Sequence, residues 1–104
     1  MIQAPSDFEP MTLRLLDISV ELLMRYFGHT RDDAEELTNR FLVREPSVVN
    51  EDFIHHEMPW RVAAAIHYLE SIGGPRERLG HWLIESGNQN SPPEVPEFVR
   101  SRMR

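Results

Sequence analysis

Asp52-Phe53-Ile54-His55-His56-Glu57, with His67 downstream, is where metal-binding residue types crowd together in this chain. There is no Cys, which excludes a thiolate zinc site, a disulfide and a thiol nucleophile. A metal would therefore have to be held by imidazole nitrogen and carboxylate oxygen, donors that zinc, iron or manganese accept. The spacing argues against it. Adjacent His55 and His56 point roughly 100 degrees apart on a helix and to opposite faces on a strand, so they are poorly placed to share one ion. His-Glu-x-x-His does not occur, and Glu70 does not stand three residues before a His, as carboxylate-bridged helical bundles require. A metal site built from His55, His56, Glu57 and His67 is thus the alternative reading. In the simpler one, these histidines cap a helix end or meet solvent.

Proton transfer would need His67 beside Glu57 or Glu70 as a general base. No nucleophile accompanies it, since Ser47, Ser71 and Ser86 lie in no nucleophile-elbow setting. Gly73-Gly74-Pro75 is better explained as a helix stop followed by a helix start than as a phosphate loop. For His67 the structural expectation is a partly buried ring against Trp60. Gly28-His29-Thr30 resembles the turn of a helix-turn-helix, but the helix after it carries four acids against Arg31 and Arg40, which disfavours DNA.

The elements that would position these residues are helical. From 11 to 27 there is no Gly or Pro, and Arg14, Asp17, Glu21 and Arg25 recur at helical steps on one narrow stripe. The rest of that helix divides into two apolar ridges: Leu15, Ile18, Leu22 and Tyr26, then Leu13, Leu16, Val20, Leu23 and Phe27. Gly28 suits its left-handed end. Thr30 offers a cap to a second helix reaching about 43, with Asp32 and Asp33 where the helix dipole favours negative charge. The segment 45 to 58 reads as a loop with one or two helical turns, broken before Pro59. A third helix over 59 to 72 ends at Gly73, and a fourth over 75 to 86 ends at Gly87. Asn88 to Ser91 with Pro92, Pro93 and Pro96 reads as linker.

The predicted fold is therefore all-α: a single compact domain of about four helices over residues 1 to 87, with an irregular N-terminal arm and an extended Pro-rich C-terminal tail over 88 to 104. The expected core is Leu16, Val20, Leu23, Leu37, Phe41, Ile66, Leu69 and Trp82. Two apolar ridges on one helix exceed what the other narrow stripes cover in return, which raises the possibility of a homodimer.

Charge narrows the function. A formal net charge of −6 in 104 residues repels phosphate backbones and anionic lipid, so neither nucleic acid nor membrane is an expected partner. All basic residues are Arg, a bias that suits a GC-rich, hence bacterial, genome. Residues 1 to 10 lack the charged start and apolar run of a signal peptide, which predicts a cytoplasmic protein. Asp52-Phe53-Ile54-His55-His56-Glu57 with Pro59 and Ala65-Ile66-His67-Tyr68 resembles a pattern in small uncharacterised bacterial helical proteins, some of them toxin-neutralising. That resemblance covers only 52 to 68 and implies no catalytic residue. The sequence reading is a non-enzymatic, cofactor-free binding protein of inhibitor or immunity type. Asp32, Asp33, Glu35, Glu36, Glu51, Asp52 and Glu57 would meet a basic protein partner.

Overall fold

Pro10, whose missing N–H costs nothing in a first helical turn, opens helix α1 (Pro10–Phe27), and Gly28 closes it at φ 74° with its N–H on the Leu23 carbonyl. A computed structural model describes residues 2–3, 8–44 and 51–103, with residues 51–58 described in backbone only. Helix α2 (Arg31–Arg44) follows at once, its start held by the Asp33 N–H donating to Thr30 Oγ1 at 3.2 Å. Helix α3 (Glu51–Ile66) runs into a π-turn (His67–Ile72), and a 3₁₀ turn (Arg76–Arg78) leads to α4 (Leu79–Glu85) and α5 (Val95–Met103). Among the described residues the architecture is five α-helices and no strand.

The core forms because α1 is wrapped. Leu16, Ile18, Val20, Leu22 and Leu23 are all at or below 2% exposure, so both apolar ridges are covered within one chain along most of their length. Only the N-terminal end, Met11 and Leu13, stays open. The surplus of apolar surface that suggested a homodimer is thereby largely consumed by the monomer. The largest interface is α1 against α3, where Val62, Ala63, Ala64 and Ile66 are fully buried. Small alanine side chains let the two helices approach closely. From α2, Ala34, Leu37, Phe41 and Leu42 close the other side.

Three expectations are corrected. The break before Pro59 is absent: α3 continues through it from Glu51, so the acidic segment 51 to 57 is helix rather than loop. An interior proline forfeits one helical hydrogen bond at a cost of ~3 kcal/mol, and burial of the flanking helix against α1 offsets it. There Ser19 Oγ donates to the Leu15 carbonyl at 2.9 Å and reaches the Pro59 carbonyl at 3.4 Å. Next, the third helix does not keep an α register to 72. The π-turn winds wider, which turns Ile72 out to 54% exposure and leaves Leu69 only half-buried.

Finally, the C-terminal tail is not extended. The Val95 N–H bonds the Pro92 carbonyl at 3.0 Å, Pro96 falls in the first turn where proline is tolerated, and α5 buries Val95 and Val99. It runs antiparallel along the charged stripe of α1. Phe98 lies under the Arg25 guanidinium, Arg102 bonds Glu21 Oε2 at 3.1 Å, and Arg14 Nη1 donates to the Met103 carbonyl at 3.3 Å. A radius of gyration of 12.6 Å matches the ~13 Å of a compact domain this size, so α5 is part of the globule.

Candidate functional site

The first turn of α2 gathers acids because its dipole and the Thr30 cap both favour negative charge there. Asp32, Asp33 and Glu36 are exposed, while Glu35 is half-buried and turned toward α1. Asp17 of α1 lies close enough to feel it. Burial, then repulsion from Glu35, holds the Asp17 carboxyl above its ordinary range; Arg31 opposes the shift and Glu21 adds to it. The acidic end of α2 therefore continues across the α1–α2 groove rather than stopping at the helix edge.

Behind it stands a feature the sequence did not disclose. His29, in the α1–α2 turn, and His67, the first residue of the π-turn, face each other with Nε2 and Nδ1 2.8 Å apart. One ring donates and the other accepts, according to tautomer. His67 stacks on Phe27 at 4.6 Å between centroids and 29° between planes, and Phe27 stacks in turn on Trp60 at 5.5 Å. Trp82 of α4 closes the far side at 6.2 Å. Burial first, and the neighbouring His29 second, lower the proton affinity of His67. Trp60 is itself held, its Nε1–H donating to the Asn88 carbonyl at 2.9 Å.

No family model, curated protein or solved structure matches the chain.

His29, Asp33, Glu36 and Arg40 face Glu70 and Ser71 across a cavity of about 370 Å³. The Glu70 side chain is only 3% exposed, and Arg44 Nη1 reaches its Oε1 at 3.4 Å, which pairs a carboxylate that burial would otherwise penalise. Three acids, Asp33, Glu36 and Glu70, therefore line the cavity together with His29 and Arg40.

Of the residues singled out for a metal, His67 is drawn away to His29. Its Nδ1 is occupied by that bond, and the ring lies on Phe27 rather than directly on Trp60 as expected. The side chains of His55, His56 and Glu57, like those of Glu51 and Asp52, lie outside the described residues. Among those described, no three His, Asp or Glu converge as a metal site requires. The pairing of His29 with His67 carried no signal in the sequence, because the two residues stand 38 positions apart and no spacing rule relates them.

Proposed function

We propose that this chain is a non-enzymatic binding protein that acts by occupying a basic partner protein, in the manner of an inhibitor or immunity protein. The acidic end of α2 is the contact surface. The observation that carries the reading is the exposure of Asp32, Asp33 and Glu36 at one end of a helix whose opposite side is sealed in the core. Repulsion from Glu35 is felt at Asp17, whose carboxyl is held above its ordinary range by burial first and by Glu35 second. Glu51, Asp52 and Glu57, acids of α3 whose side chains lie outside the described residues, complete the proposed surface. Such a field raises encounter rates with a cationic surface and is screened beyond about 8 Å at physiological salt. A histidine- or metal-dependent enzyme is the competing reading, and it must dispense with His67, which already has a structural bond.

The test uses the chain as bait and a partner recovered with it. Association should slow as salt rises, and Asp32→Arg with Glu36→Arg should lower the on-rate on the order of tenfold with little change in dissociation. His55→Ala and His56→Ala should leave binding intact. Loss of binding with the histidines, and indifference to the acids, would replace this reading with the enzymatic one.

A further inference from the structure

We infer that His29 and His67 form a proton-operated latch between the α1–α2 turn and the π-turn: the bond survives a first proton taken up by the pair and is broken by a second. The chemistry follows from the ring nitrogens. Two neutral imidazoles at 2.8 Å share one N–H between facing nitrogens, and an imidazolium facing a neutral ring does the same with a stronger, charge-assisted bond. Two imidazolium rings place a hydrogen on both facing nitrogens, so no acceptor remains and like charges meet at contact distance.

The surroundings decide how readily that second proton is taken up. On the His67 side the neighbours are uncharged: Phe27 of α1 stacks on the ring, and Trp82 of α4 lies beyond, where the nearby His81 is bound to Glu85 at 2.7 Å. On the His29 side, Asp33, Glu36 and Arg40 of α2 and Glu70 of the π-turn, with its Arg44 partner, line the shared cavity. For His67, burial and His29 prevail and lower its proton affinity.

The latch adds a titratable bond to the Phe27–His67 stack and the Arg44–Glu70 pair, which also tie the π-turn to α1 and α2. The π-turn ends with Gly73 and Gly74 N–H both donating to the Tyr68 carbonyl at 3.0 and 3.1 Å, and this rare winding has the His29 bond as a support from outside its own helix. Opening the latch removes that support at His67 and frees the turn that leads into α2.

The experiment is a histidine-ring NMR titration of the full chain from pH 8 to 5, with amide exchange read at Gly73, Gly74 and Asp33. Two linked steps should appear, the His67 ring following below 6.5. Protection of these amides should fall about fivefold across the second step, the worth of one hydrogen bond. His67→Gln and His29→Gln should each abolish that pH-dependent loss, and either one that folds suffices. Independent single titrations in the wild-type chain, or the same loss of protection in a Gln variant, would overturn the latch.

Discussion

His67 exchanges hydration for a stack on Phe27 and a bond to His29, and this exchange makes stability depend on pH. Its folded proton affinity lies below the ordinary value of 6.5, so the unfolded chain takes up the proton first. The stabilisation is therefore complete above about 6.5 and is lost as pH falls through that value toward the lower folded one. The urea midpoint should drop between pH 7.5 and 5, and His67→Phe, which keeps a ring on Phe27, should flatten the slope. A midpoint that rises on acidification would contradict the assignment. Asp17 acts in the opposite sense and lower down, since its raised carboxyl relieves a penalty only as pH falls toward the carboxylate range. Packing separates residues in the same way. Leu16→Ala, at 0% exposure, should cost ~2–5 kcal/mol, and half-buried Leu69→Ala distinctly less; equal losses in urea unfolding would mean that the π-turn does not turn Leu69 outward.

Among the elements, the π-turn and α5 carry the most consequence. Gly74 has no room for a side chain, because a Cβ there would overlap the Tyr68 ring. That ring is fixed on three sides: buried to 5% exposure, bonded from its hydroxyl to the Pro75 carbonyl at 2.9 Å, and stacked near Trp82 at 5.0 Å. Gly74→Ala should therefore destabilise by ~1–3 kcal/mol, and thermal unfolding should report it alongside a change in Trp fluorescence. Gly80 tolerates the same change, since a Cβ there meets nothing, which makes it the internal control. Helix α5 seals one side of α1 through Val95, Val99 and Phe98. Ending the chain before residue 91 should lower the melting temperature by several degrees and raise binding of an apolar dye; an unchanged melting curve would show that α5 contributes nothing.

For the whole molecule the question is what remains open after folding. Among the described residues, the large apolar ones still exposed are Met11 and Leu13 on α1, Val43 on α2, Ile72 at the end of the π-turn and Ile84 on α4, spread over four elements. Such scatter is ordinary for a monomer. Sedimentation at micromolar concentration should give the mass of one 12.2 kDa chain, and a mass of twice that would mean that the open end of α1 is an interface. None of the described helices is long and apolar enough to cross a membrane.

Local physics alone determined a good part of this fold. The helical class, the bounds of α1 and α2 to within a residue, the Thr30 cap and the left-handed stops at Gly28, Gly73 and Gly87 all depend on propensity, capping and backbone freedom within a few neighbours. The buried faces of Leu16, Val20, Leu23, Leu37, Phe41 and Ile66 follow from periodicity for the same reason. Helix α5 was locally encoded too, by proline in the first turn, Glu97 early and Arg100 and Arg102 late, but these signals were outweighed by the prolines and polar residues before them. Other features needed the tertiary structure. Pro59 stays helical where Ser19 of α1 reaches its carbonyl and the residues after it are buried against α1, and the π-turn exists where Tyr68 and His67 find partners outside their own helix. The His29–His67 bond joins residues that no spacing relates; two rings distant in the chain meet only when α1 ends beside the turn that follows α3, and that meeting is a property of packing.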